Sequence, residues 1–254
     1  MIYILDFGYL SFYRYHACKR YFGFKDEPYD LENPWQNEGD FRECVLKQIE
    51  KMIKSFSKRG KNKIYFACEA LNGTKNWRKV IFPDYKGNRE KNEDIYTYMT
   101  YIYDEFLPNL CDDNNEILRG NYEADDAIAF KIREIDDREE VIIISSDHDF
   151  LQLVEDDNNI SLLDAKGNNV AQKKKIYGKK YLKTKILDGD KSDNISPIFS
   201  GKNKTKRRDA LLEKIEKFNN LDDVSIDVFD GDVQLFEKFK MNRLLIDFDK
   251  IIQK

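Results

Sequence analysis

Val141-Ile142-Ile143-Ile144-Ser145-Ser146-Asp147-His148-Asp149 is the stretch from which the fold follows. Four consecutive β-branched apolar residues predict a short strand buried on both faces, the pattern of a parallel sheet. The strand runs straight into two aspartates separated by one residue. In an open parallel sheet, ligands collect at the carboxyl ends of the strands. Two carboxylates there have the character of metal ligands. They have equally the character of helix caps, because Asp is a favoured N-cap and suits the positive end of a helix dipole.

Outward from this strand, the apolar spacing alternates between strand and helix. Residues 2–6 predict a first strand ending in Asp6, followed by a helix over 9–22 and a loop over 23–39. Asp40 opens a helix to about Ser57, with Phe41, Val45, Ile49, Met52, Ile53 and Phe56 at helical spacing and Lys58, Arg59 and Gly60 marking its end. A second strand, Ile64–Cys68, leads into Glu69, and residues 70–93 are polar and basic. A helix over roughly 92–107, a strand at 116–118 and a helix opening at Glu123-Ala124-Asp125-Asp126 precede the central strand. Beyond it come a helix near 148–154, a strand near 160–163 and a helical region over 177–220 broken at 193–203. The tail, 232–252, mixes charge with apolar residues and is expected to pack back on the core. The alternation implies an α/β fold, a mostly parallel central sheet flanked by helices. Residues 1–176 form this core, and 177–254 form a helical region with the returning tail.

Composition narrows the function. The chain has 254 residues, 41% of them hydrophobic, enough for a sizeable core. No apolar run approaches the ~20 residues that span a bilayer. The first residues, Met1-Ile2-Tyr3-Ile4-Leu5-Asp6, lack the basic start and apolar region of a signal peptide, so a cytoplasmic location is expected (host cytoplasm if the source is viral). Cys18, Cys44, Cys68 and Cys111 are scattered, which suits reduced thiols better than bridges or a zinc site. The net charge of −4 conceals segregation: residues 173–208 hold thirteen Lys or Arg against three Asp. That excess is either an electrostatic footprint for phosphates or a solvated lysine-rich face. No phosphate-cradling glycine loop is present, and His16 and His148 are not spaced as a catalytic pair.

The acids that follow predicted strands or open helices facing them are Asp6, Glu69, Glu123, Asp125, Asp126, Asp147 and Asp149, with Asp190 and Asp193 further on. Gathered at one sheet edge, they would repel one another until several protonated. Hard divalent cations with oxygen ligands resolve the repulsion, and Mg²⁺ fits because it keeps waters for a substrate phosphate. Two such ions about 4 Å apart would serve phosphodiester hydrolysis.

At this point the motifs resemble a known family. They are Ile4-Leu5-Asp6-Phe7, Trp77-Arg78, Asp84-Tyr85-Lys86-Gly87-Asn88-Arg89, Tyr122-Glu123-Ala124-Asp125-Asp126, Ile143–Phe150, Thr184–Asn194 and Leu244–Asp249. In this order, over nearly the whole chain, they resemble the 5′-nucleases: flap endonucleases and the 5′–3′ exonuclease domains of bacterial DNA polymerases. Within the family they are most similar to the branch that includes the ribonucleases H of T-even bacteriophages. The resemblance implies a PIN-like nuclease core with a helical arch over about 78–95, and a helix–three-turn–helix element that holds duplex DNA without reading sequence. It implies two Mg²⁺, replaceable by Mn²⁺. Asp6, Asp126 and Asp147 would hold the ion nearest the scissile phosphate, with Glu123 and Asp125 nearby. Asp149, Asp190 and Asp193 would form or support the second site. Lys86 and Arg89, at the base of the arch, would grip the phosphate, and Arg78 would support it.

Three departures qualify the resemblance. The second strand of the family ends in Asp, where this chain offers Glu69. The turn usually carries Gly-x-Gly, often around potassium, whereas this chain reads Ser200-Gly201-Lys202-Asn203-Lys204, so a K⁺ site is not carried over. Lys202, Lys204, Lys206, Arg207 and Arg208 would hold the backbone by direct charge instead, making binding salt-sensitive. The sequence also stops soon after Leu244–Asp249, where the T-even branch continues, so contacts with a single-strand-binding protein are not carried over either. The expected substrates are branched or 5′-ended duplex DNA and RNA–DNA hybrids, handled by a monomer. A PIN-like ribonuclease and a catalytically silent binder of branched DNA are the alternatives.

Overall fold

In the computed structural model, residues 1–26, 28–57, 62–70, 76–90 and 92–251 are described. The helix end marked by Lys58, Arg59 and Gly60 lies outside them. In chain order the first elements are β1 (Ile2–Asp6), α1 (Phe7–Phe22), α2 (Pro34–Asn37), α3 (Gly39–Ser57), β2 (Lys63–Ala67) and α4 (Trp77–Ile81). Then come α5 (Glu93–Tyr101), β3 (Asn115–Leu118), α6 (Ala124–Glu134), β4 (Val141–Ile144) and β5 (Ile160–Leu163). The remainder is α7 (Val170–Lys174), α8 (Gly178–Asp188), α9 (Lys204–Ile215) and α10 (Val233–Ile246). The chain divides into two units. The first comprises Met1–Thr74, Glu90–Asp147 and Asn158–Val170, and the second Lys75–Arg89, His148–Asp157 and Ala171–Lys254.

The first unit is built on a sheet ordered β3-β2-β1-β4-β5. Every pairing among these strands is parallel. Parallel strands are covered on both faces, which is why β1 and β4 carry unbroken apolar runs. Ile4, Leu5, Ile143 and Ile144 are buried. The register sets Leu5 beside Ile144 and Asp6 beside Ala67. α3 buries Phe41, Val45, Ile49, Met52 and Ile53, the stripe its spacing predicts. The helix expected over 92–107 is α-helical only to Tyr101 and continues as a π-helical turn, Ile102–Phe106. There Leu107 N donates to Ile102 O at 2.9 Å, and Ile102, Tyr103 and Leu107 are all buried. The wider turn lets neighbouring residues face the same core.

The second unit is helical. Ile186, Leu187, Ile198, Leu211, Ile215, Phe239, Leu245 and Ile246 form its apolar cluster, so the apolar residues of α10 are buried within this unit. The segment expected as a helix near 148–154 is a 3₁₀ helix, His148–Leu153, against which α8 packs. α8 ends at Gly189, whose φ of +66° is in the left-handed region. A Cβ there would stand 2.4 Å from the carbonyl oxygen of Ile195, so the chain turns where only glycine fits. The break before α9 is therefore longer than the 193–203 expected, running over 189–203.

Candidate active site

Because the strands of the first unit are parallel, their carboxyl ends share one edge. β1 lies between β2 and β4, so the strand order reverses between β1 and β4, where open α/β sheets bind ligands. Asp6 closes β1 at this point. Its Oδ1 accepts from the backbone N–H of Tyr9 at 2.9 Å and so caps α1. Its Oδ2 accepts from Ser145 Oγ, just beyond β4, at 2.7 Å. Ser145 Oγ in turn accepts from the N–H of Asp147 at 3.0 Å. One side chain thus both ends the strand and caps the following helix.

Asp6 is only 8% exposed. Burial pushes its pKa up to about 6, despite the opposing hydrogen bonds from Tyr9 and Ser145, and the nearby charge of Asp147 adds to the rise. A carboxylate in this condition is short of positive charge.

The remaining first-unit acids lie at helix starts and strand ends. β3 leads to Glu123, the buried N-cap residue of α6, whose side chain does not cap the helix. Asp125 and Asp126 follow in the first turn, and Asp126 has no exposure at all. α6 packs on β1, β2 and β3. Asp147 is exposed. Glu69 is exposed beyond β2, its backbone carbonyl accepting from Arg119 Nε at 3.0 Å. Among the described residues, no group of three or more His, Cys, Asp or Glu is disposed to hold a metal ion directly. The donor set is nonetheless all oxygen. Asp6 with Asp147 beside it fits a hydrated hard cation held by one or two carboxylates better than a closed cage. Ser145 was missed by sequence reasoning, although a serine directly after a strand buried on both faces was the available signal.

In the second unit the acids are already engaged. Asp149, in the 3₁₀ helix, pairs with Lys185 of α8. The same Lys185 Nζ lies 2.7 Å from Asp190 Oδ2. Asp190 Oδ1 accepts from Ser192 N and Oγ at 2.7 and 2.6 Å. Burial pushes the Asp190 pKa up, but Lys185 and Ser192 outweigh it and hold the carboxyl below its ordinary value. Asp193 Oδ1 accepts from Arg89 at 2.9 Å and its Oδ2 from Tyr85 Oη at 2.8 Å. The backbone N–H of Lys86, at φ +54°, donates to Asp193 O at 3.1 Å. Asn194 Nδ2 donates to Asp84 O at 3.0 Å and Asn88 Nδ2 to Lys191 O at 3.2 Å. The turn over 84–89 is thereby fastened to the loop over 190–194.

Arg78 is placed differently from the phosphate contact expected of it. It is 2% exposed, donates Nε to Leu245 O at 2.9 Å and stacks over Trp77. A guanidinium enclosed in this way orders the unit and does not present itself to a phosphate. Lys202, Lys204 and Lys206 are exposed, Arg207 lies over the Phe199 ring, and Arg208 pairs with Asp188 at 3.3 Å and Asp209 at 3.1 Å. Gly201 and Asn203 both have positive φ, +76° and +60°. Asn tolerates the left-handed region, so Asn203 adopts a positive φ without being glycine.

Residues 1–187 match the model of the 5′–3′ exonuclease N-terminal resolvase-like domain. The chain is 27% identical to ribonuclease H of Enterobacteria phage T4 over 239 residues, covering 83% of this chain and 72% of that one. It is 30% identical to a 5′–3′ exonuclease of Buchnera aphidicola (59% of this chain) and 28% identical to one of Mycoplasmopsis pulmonis (74% of this chain). The match spans 52% and 64% of those two relatives' lengths. The fold is similar to that of a bacteriophage T5 flap endonuclease crystallised with DNA and metal ions, at 18% identity and a TM-score of 0.60, covering 97% of this chain and 89% of that one. A zinc-bound T5 5′-exonuclease gives 18% identity, a TM-score of 0.59 and the same coverage.

Proposed function

The chain belongs to the 5′–3′ exonuclease family, and on that premise we propose that it is a divalent-metal-dependent 5′-nuclease. Its substrates are phosphodiesters at or near the 5′ ends of RNA–DNA hybrids or flapped DNA duplexes, and its role is to remove primers or flaps in DNA replication. The observation that carries this reading is Asp6: a buried carboxylate with a raised pKa, beside Asp147, at the point of the sheet where ligands bind. The relatives named above, one a ribonuclease H and another crystallised with DNA and metal ions, support it.

Asp6, Asp126 and Asp147 are the residues that would hold the cation, Mg²⁺ or Mn²⁺ in its place, with Glu123 and Asp125 holding its waters. When bound, the ion supplies an activated water and stabilises charge on the reacting phosphate. The protein's own part is to keep the acids oriented. The Tyr9 N–H and Ser145 Oγ fix both oxygens of Asp6, so its carboxylate does not rotate when the proton leaves. Glu69 is more remote in kind, an exposed acid one carbon longer than the family's Asp. Lys86 and Arg89 would offset charge on a substrate phosphate. Lys202, Lys204, Lys206 and Arg207 hold the duplex backbone without reading bases.

The test is cleavage of 5′-flap, nicked, RNA–DNA and single-stranded substrates with Mg²⁺ or EDTA, beside an Asp147→Asn variant. Mg²⁺-dependent release of 5′ fragments by the wild type, lost in the variant, is expected. No Mg²⁺-dependent cleavage overturns the proposal, and binding of branched DNA without cleavage identifies a silent binder. Cleavage of RNA alone, indifferent to duplex, identifies a PIN-like ribonuclease.

A further inference from the structure

The second unit contains a cation of its own where a second metal ion would be expected. Lys185 projects from α8 and pairs with Asp149 and Asp190 at once. All three side chains are largely withdrawn from solvent, at 13%, 19% and 15% exposure, so the interaction is screened less than a surface ion pair. The remaining oxygen of Asp190 is occupied by Ser192. Asp193, the third acid of the set, gives both oxygens to Arg89 and Tyr85. This arrangement does not fit an open divalent site. Each acid has a protein partner, and the central one is a point charge in contact with two carboxylates.

We infer that Lys185 is a built-in cation that occupies the Asp149–Asp190 pair in place of a second divalent ion, so that a second ion binds only by displacing it. The ammonium holds the two acids at a fixed separation in the absence of metal. It also sets the threshold for the second ion, because entry of a divalent ion would leave Lys185 beside a net positive centre. An ammonium has three rotatable donors on a flexible stem, so it can leave without rearranging the backbone. The inference rests on the metal-dependent reading of the family, but it concerns different residues from those that carry that reading.

Mn²⁺ binding to the full chain at pH 7, counted from the electron paramagnetic resonance of free Mn²⁺, separates the two. Wild-type protein is expected to bind one ion tightly and a second at least ~10-fold more weakly, a gap of ~1.4 kcal/mol. Lys185→Met is expected to tighten the second ion by at least about tenfold, given the strength of a partly buried charge interaction. Lys185→Arg keeps the charge and should keep the wild-type count. Adding Asp149→Asn to Lys185→Met should abolish the gain, which places the new ion on this pair. Thermal unfolding gives an independent readout: Lys185→Met should melt lower than wild type in EDTA and recover with Mn²⁺. An unchanged count and affinity in Lys185→Met overturns the inference, as does a gain that survives Asp149→Asn. Asp6→Asn reports on the metal-dependent reading alone, because it should remove the tight ion while leaving the effect of Lys185→Met intact.

Discussion

Replacing Asp6 by Asn should stabilise the metal-free protein while destroying its activity. Asp6 ionises near 3.8 in an unfolded chain and near 6 in the folded one. Between those values the folded state holds the extra proton, so stability falls as pH rises through this window. The penalty is absent below about pH 4 and complete above about pH 6. Two pH units correspond to about 3 kcal/mol. Asn retains much of the geometry. Its Oδ1 can still accept from Tyr9 N, since Asn caps helices as well as Asp does, and its amide can donate to Ser145 Oγ, which has a lone pair to spare. The net gain expected at pH 7 is about 1–3 kcal/mol. Urea denaturation in EDTA at pH 7 and at pH 4 measures it. The variant should be more stable at pH 7, and the gap should close at pH 4. A variant less stable than wild type at pH 7, or a difference independent of pH, would refute the reasoning that buried charge at Asp6 is uncompensated.

Three further outcomes follow from the same structure. Asp94, fully buried in the first unit, accepts from Tyr15 Oη, from Trp35 N at 3.2 Å and from Gln36 N at 2.9 Å. Asp94→Ala leaves those donors buried and should cost about 3 kcal/mol or more in urea denaturation, at ~1–3 kcal/mol per orphaned group. Gly189→Ala must adopt positive φ and meet the Ile195 carbonyl, and should lower stability by ~2 kcal/mol or more. Replacing Lys202, Lys204 and Lys206 together by Gln should weaken duplex binding equally for all sequences and reduce the slope of log K against log salt by about 2–3, as measured by fluorescence anisotropy across a salt series.

The fold was legible where periodicity and burial agree. Val141–Ile144 and Ile2–Leu5 are apolar without alternation because both faces are covered, and that pattern has few other sources. The edge at which Asp6 and Asp147 stand, at the ends of β1 and β4, was legible too, since a parallel sheet assembles its carboxyl ends without reference to side-chain detail. The partners of those acids were not legible. Nothing in the spacing of Lys185, Asp149 and Asp190 says that one ammonium will meet both carboxylates, because the contact depends on α8 packing against the 3₁₀ helix. The environment of Arg78 was not legible either: nothing in Trp77-Arg78 says that Leu245 O and the Trp77 ring will surround the guanidinium. In the turn before α9, the missing glycine left the K⁺ site out of the expectation, and the structure adds that Asn203 takes the left-handed conformation itself.

The two sets of acids differ in how their charge is met, and the difference bears on function. In the second unit each assigned acid has a cation or a hydroxyl donor at hand, and Asp190 is held below the ordinary carboxylate range as a result. In the first unit Asp6 receives only neutral donors, and its pKa rises. Raising it serves no purpose in stability, since Asn could keep the Tyr9 bond and reverse the one to Ser145 without the charge penalty. A fold that retains an acid at such a cost holds it for a charge that comes from outside. This argument supports the proposal that a cation is held first by the first-unit acids. The second-unit acids are a structural joint, tying the turn over 84–89 and α8 to the loop over 190–194, and a metal ion reaches them only by competition with Lys185.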